Sequence, residues 1–99
     1  MHFVIFITDK PGVGQTRIDM MDTIRTYQHD HPDHPGVSLH HAGPTLADNG
    51  ETINGSLLVV EAPSLEAVRA FVADHPLNKA GHLADCQVRP WDWRTGRPA

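Results

Sequence analysis

Two stretches of this chain are apolar without the alternation that marks a half-buried strand. Phe3 to Thr8 reads Phe-Val-Ile-Phe-Ile-Thr, and Ile53 to Ala62 has Leu57-Leu58-Val59-Val60 at its centre. Successive side chains of a strand point to opposite faces. Phe3, Ile5 and Ile7 therefore need cover on one side, and Val4 and Phe6 need it on the other. The same holds for Leu58 and Val60 against Leu57 and Val59. A chain of 99 residues has little material with which to cover both faces of a sheet.

The remaining pattern shows how much cover the chain supplies. The first strand stops at the turn signal Asp9-Lys10-Pro11-Gly12. Thr16 with Asp19 predicts a helix N-cap followed by an acidic N3 residue. Ile18, Met21 and Ile24, extended by Met20 and Tyr27, predict an amphipathic helix of about twelve residues. Pro32 and Pro35 forbid its continuation, so residues 29–36 are expected as a loop. A second strand is expected over residues 37–42, closed by Gly43-Pro44. A hairpin loop is expected over residues 47–52, and the third strand over residues 53–62. Ser64 predicts the N-cap of a second helix with Leu65, Val68, Phe71 and Val72 on one face, ended by Asp74-His75-Pro76. Residues 86–91 predict the last strand.

The order is β-α-β-β-α-β, an α+β chain of the ferredoxin-like split type, expected as one domain over residues 1–99. Two helices cover only one face of a four-stranded sheet. Pairing of the other face with a second copy is the economical solution, so a homodimer or higher oligomer is expected. A net charge of −4 provides no electrostatic footprint for nucleic acid or an anionic membrane. Cys86 is the only cysteine, which excludes an internal disulfide and a multi-cysteine metal site; it reads as a small buried hydrophobe. No apolar stretch reaches the ~20 residues of a bilayer span, and the chain opens directly into a strand, so a cytoplasmic location is expected. Eight histidines are the anomaly in the composition.

The opening residues 1–10 with Arg17, then Ala42-Gly43-Pro44, Gly55-Ser56, Ala80-Gly81 and Arg89-Pro90-Trp91, resemble the YCII-like (YciI-related) proteins in order and spacing over almost the whole chain. The resemblance implies a dimeric α/β barrel with a His/Asp-centred site. It also implies an activity associated with the family, elimination of HCl from a chlorinated hydroxyhydroquinone in chloroaromatic degradation. Two positions depart from the family pattern. The first helix lacks the usual histidine, having Asp22-Thr23-Ile24-Arg25-Thr26 there, and His75 stands where the family has Asp before Pro. A swapped dyad of His75 as imidazole and Asp9 as carboxylate is the arrangement expected in compensation.

A carboxylate bonded to one imidazole nitrogen raises the basicity of the other, which suits proton abstraction at neutral pH. Asp9 in a strand-end turn and His75 capping helix carbonyls are the purely structural alternatives. His40 and His41 adjoin on a strand, so alternation sends one of them inward, either toward a substrate hydroxyl or into a satisfied buried position. Arg17, read at the start of a helix, lies where a cation is disfavoured by the macrodipole. That placement suits binding of a phenolate or carboxylate, or a surface salt bridge. Ser56 has a hydroxyl able to orient a ligand but no neighbouring base.

His29, His31 and His34 read as exposed loop, and no metal is expected there. Lys10 to Gly14 lacks the ending of a phosphate loop and reads as a turn. Trp91 and Trp93 wall a pocket or line a subunit interface. The leading expectation is a cofactor-free HCl-eliminating lyase acting on a phenolic or quinoid substrate, with Asp9 and His75 catalytic and Arg17, His40, His41 and Ser56 binding substrate. Elimination transfers no net electrons to an acceptor, so it demands no metal or redox cofactor. A non-catalytic dimeric ligand-binding module and a muconolactone-type isomerase are the alternatives.

Overall fold

In a computed structural model describing residues 1–98, the first apolar run forms β1 (His2–Asp9). Then follow α1 (Gly14–Asp19), α2 (Met21–His29), β2 (Ser38–Leu46), β3 (Ile53–Glu61), α3 (Leu65–Ala73), α4 (Pro76–Lys79) and β4 (Leu83–Trp91). The strands form one antiparallel sheet in the order β2-β3-β1-β4. This is the ferredoxin-like α+β arrangement that the element order predicts. The two most apolar strands are the central ones, because only they have hydrogen-bonded neighbours on both sides.

The register sorts the side chains by face. Phe3 pairs with Val60, Ile5 with Leu58 and Ile7 with Ser56, and all of these point toward the helices. Phe3, Ile5, Val60, Leu58, Val68 and Phe71 are essentially fully buried and form the core with Ile7, Val37 and Ala62. Burying such a side chain contributes roughly 1.5–3 kcal/mol each, and Phe71, stacked on Tyr27 at 5.1 Å between ring centroids, joins α3 to α2. Cys86 packs half-buried against this core, as expected of a small hydrophobe. The other face carries Val4, Phe6, Leu57, Val59, Trp91 and Trp93; Phe6 and Leu57 are exposed there.

Several boundaries differ from expectation for identifiable reasons. Thr16 is not an N-cap. The helix begins earlier, after the Pro11-Gly12 turn in which Gly12 takes φ 81°, and the Val13 carbonyl accepts the Arg17 N–H at 2.8 Å. The single helix expected there is interrupted at Met20. β2 starts at Ser38 and runs through Gly43-Pro44 to Leu46. An edge strand tolerates proline because one side of its backbone has no ladder partner. Ser64 is the N-cap expected, its Oγ accepting the Ala67 N–H at 3.2 Å. Asp74-His75-Pro76 ends α3 as expected, with His75 extended, and a further short helix, α4, starts at once, with Pro76 in its first turn where the missing N–H costs nothing. β4 begins at Leu83 rather than Cys86. No helix among the described residues is long and apolar enough to cross a membrane.

Candidate functional site

At one end of the sheet, three polar side chains meet on the helix-facing side. Asp9 continues the inward series Phe3, Ile5, Ile7 at the end of β1, where the β1–β4 register shifts. Ser56 opposes Ile7 on β3. Its neighbour Gly55 is required for that approach: a Cβ at Gly55 would collide with the Ile7 carbonyl oxygen and lie 2.8 Å from Thr45 Oγ1. α1 brings Arg17 over both.

The Arg17 Nε–H donates to Asp9 Oδ2 at 2.7 Å, and Nη2 donates to Asp9 Oδ1 at 3.2 Å and to Ser56 Oγ at 2.6 Å. Arg17 and Asp9 retain only 9% and 4% of their side-chain exposure. A buried, forked pair of this kind is strongly oriented, and removal of either partner leaves the other charge uncompensated. Because α1 starts at Gly14, Arg17 lies in its last turn, where the dipole favours a cation; the unfavourable position inferred from a helix starting at Thr16 does not exist.

The guanidinium opens onto a cleft of about 340 Å³ between the first helical segments and β2–β3. The Asp9 and Ser56 contacts use Nε and Nη2, leaving Nη1 for a ligand. Ile18, Met21, Ile24, Pro44 and Ile53 form the apolar wall, with Arg25 and Gln28 at the rim. Ile18 and Met21 belong to the stripe that patterning assigns to the core, yet both are exposed. The interruption at Met20 turns α1 relative to α2, so only Ile24 of that stripe is buried.

His75 is 1% exposed and serves as the N-cap of α4, its Nδ1 accepting the Leu77 N–H at 3.2 Å. That bond requires a lone pair on Nδ1, so the neutral ring carries its hydrogen on Nε2. Nε2 is the one fully buried side-chain polar atom without a hydrogen-bond partner among the described residues. Burial, reinforced by the Arg17 charge and opposed by Asp9, pushes the His75 pKa down to about 4. His75 and Asp9 are near enough to interact electrostatically, but no hydrogen bond joins them: Asp9 accepts from Arg17, and His75 Nε2 has no partner. The hydrogen-bonded dyad expected is not made in this structure. The imidazole basicity is lowered rather than raised, and its free nitrogen is a donor.

His40 and His41 are elsewhere. The β2–β3 register shifts between Leu39 and His41, a bulge that gives β2 one extra residue and cancels the alternation. Both rings contact Trp93 on the face away from the helices, at 6.0 and 5.5 Å between centroids. Neither joins Asp9, Arg17 and Ser56. His29, at the end of α2, is exposed as expected, whereas His31 and His34 depart from the exposed reading. The His31 nitrogens face the carbonyl oxygens of Tyr27 and Val37 at 2.9 and 2.8 Å, and His34 Nε2 meets Asp74 Oδ2 at 2.7 Å. Both rings pack on Phe71, so they fasten the loop to the body of the protein. Trp91 and Trp93 stack on each other at 5.2 Å on the same outer face and do not wall the Arg17 cleft.

A domain model of the YCII-related family matches residues 1–92. A search of curated proteins gives no match. Among solved structures, 5-chloro-2-hydroxyhydroquinone dehydrochlorinase (TftG) from Burkholderia phenoliruptrix, in complex with 2,5-dihydroxybenzoquinone, aligns with a TM-score of 0.78 and 32% identity, covering 93% of this chain and 94% of that one. Protein At3g17210 from Arabidopsis thaliana aligns at 0.55 and 19% identity over 98% of each chain. SnoaB, a cofactor-independent oxygenase from Streptomyces nogalater, aligns at 0.54 and 11% identity over 97% of this chain and 96% of that one. These two are similar in fold alone.

Proposed function

We propose a function from the premise that this chain belongs to the YCII-related family: it eliminates HCl from a chlorinated hydroxyhydroquinone. The observation that carries the reading is the buried Arg17–Asp9–Ser56 cluster opening on an apolar cleft, in a chain similar over nearly its full length to a dehydrochlorinase. The cleft is of a size for a single substituted ring, and its apolar wall suits the ring faces.

The chemistry requires that phenolic protons leave, that the chlorine-bearing carbon gains a proton, and that chloride departs with its electron pair. The net loss is HCl, and the product is a hydroxyquinone. No electron acceptor is consumed. Arg17 Nη1 binds a ring oxygen and stabilises its developing negative charge in a water-poor site. Asp9 accepts the hydroxyl proton from that oxygen, delivers it to the chlorine-bearing carbon, and then takes the second phenolic proton as chloride leaves, so that proton and chloride depart to solvent as HCl. Ser56 orients the guanidinium. His75, buried outside the cleft lining but close enough to Arg17 and Asp9 to feel their charges, stays neutral and acts on that pair from behind. This assigns His75 a positioning and electrostatic role in place of proton abstraction. The exposed apolar residues of the outer sheet face support packing against a second copy, giving a homodimer.

Chloride release from chlorohydroxyhydroquinone under anaerobic reductant tests the reading. The parent protein should exceed buffer, and Asp9→Asn should lower the rate by about 100-fold or more, within the range for loss of a general acid–base group. Circular dichroism confirms that the variant is folded at the assay temperature. A parent rate equal to that of buffer removes the lyase reading. An undiminished Asp9→Asn rate removes Asp9 from the chemistry while leaving the activity in place.

A further inference from the structure

The outer face of the sheet carries a second cluster of polar side chains, on the opposite side from Asp9, Arg17 and Ser56. His2 and Glu61 are register partners on β1 and β3, and His40, next to the inward-facing Leu39 on β2, lies beside them. Their donor atoms all lie within 4.8 Å of one another. His40 Nε2 is 3.2 Å and His2 Nε2 3.9 Å from Glu61 Oε1. Ligands around a tetrahedral zinc-class ion at its usual bond lengths stand about 3.3 Å apart. Small side-chain rotations therefore bring this set to coordination distance without moving the backbone.

We propose that His2, His40 and Glu61 form a binding site for a divalent transition-metal ion of the zinc class, independent of the dehydrochlorination reading. Two imidazoles and a carboxylate suit such an ion, whereas magnesium and calcium favour all-oxygen sets. An aromatic wall adjoins both imidazoles. Trp93 is nearly buried, its indole N–H donates to Thr95 O at 2.8 Å, and its ring edge meets His2 at 5.5 Å and His40 at 6.0 Å. This fixes both imidazole planes against an apolar wall. Three protein ligands leave a further position for water or an external ligand.

Leu39 pairs with Val60 toward the helices, so alternation sends His40 to the outer face beside His2 and Glu61; without it only a pair remains, too small to hold an ion. The test is a competition titration of tag-free, chelator-stripped full-length protein with Zn²⁺ against a chromophoric chelator at neutral pH. The expected result is one ion per chain. His40→Ala and Glu61→Gln should each weaken binding by at least roughly tenfold, since loss of even an outer-layer partner costs that much. The His31→Ala/His34→Ala double variant should bind as the parent does. Substitution with Co²⁺ should give visible bands that the His40→Ala protein lacks. His40 and Glu61 are exposed in the single chain but lie on the face assigned to the second copy, so circular dichroism and sedimentation of each variant verify that fold and assembly are kept. Absence of stoichiometric binding, unchanged affinity in both single variants, or loss of the ion in the loop double variant each overturns the proposal.

Discussion

Acidification of the protein through the His75 range should remove stability in a calculable way. In the unfolded chain a histidine titrates near 6.5, whereas burial and the Arg17 charge hold His75 near 4. Between those values the unfolded state binds a proton that the folded state refuses, so stability falls as pH falls and is fully present only above the unfolded value. For a folded value of about 4, the loss relative to neutral pH is about 2 kcal/mol at pH 5 and about 3 kcal/mol at pH 4.

Other titrating groups contribute to any acid transition, so the assay compares two proteins. His75→Asn retains a side-chain oxygen able to accept the Leu77 N–H and cap α4, but it does not titrate. Urea denaturation of both proteins, at one protein concentration and at intervals from pH 7 to pH 4, gives the difference in stability at each pH. That difference should shift toward the variant by the amounts above as pH falls, whatever the offset at pH 7. Parallel pH profiles would show that His75 does not resist protonation in the folded state. The depressed basicity argued for it, and with it the assignment of Nε2–H as a donor, would then be wrong.

Gly55→Ala should destabilise the protein by at least about 2 kcal/mol, because the added Cβ meets the Ile7 backbone rather than a flexible side chain. For a chain of this size that is a fall in Tm of roughly 10 °C, read by thermal denaturation, and an unchanged Tm would refute the close approach. Ile18→Thr and Met21→Thr, at exposed cleft positions, should change stability by no more than about 0.5 kcal/mol. Both should raise KM for the ring substrate. A KM identical to that of the parent would remove them from the wall.

The fold was legible in the sequence because it rests on local periodicity. Uninterrupted apolar runs can only be central strands, and the 3.6-residue stripe of α3 with its Ser64 cap has a single reading. Asp9, Arg17 and Ser56 were also legible as individual residues, through chain order and a family resemblance. Their relation was not. Whether Asp9 pairs with His75 or Arg17 depends on where α1 begins and how α1 and α2 meet at Met20, and no residue pattern there announces the interruption. The stripe containing Ile18 and Met21 illustrates the same limit, since amphipathicity identifies an apolar face without saying whether a core or a cleft adjoins it.

Histidine shows the division between the two sources most clearly. Composition marked the excess, and alternation assigned His40 and His41 to opposite faces. A single bulge in β2 placed both on the outer face, where His40 meets His2 and Glu61 from strands far away in sequence. His75 read as the end of one helix and proved to be the cap of the next, which determined the nitrogen that carries its proton. Element type and order follow from short-range side-chain preference, and the sequence by itself determined those. The partner of each polar group was decided only by the tertiary structure, because register shifts and helix junctions arise from the packing of segments far apart in the chain.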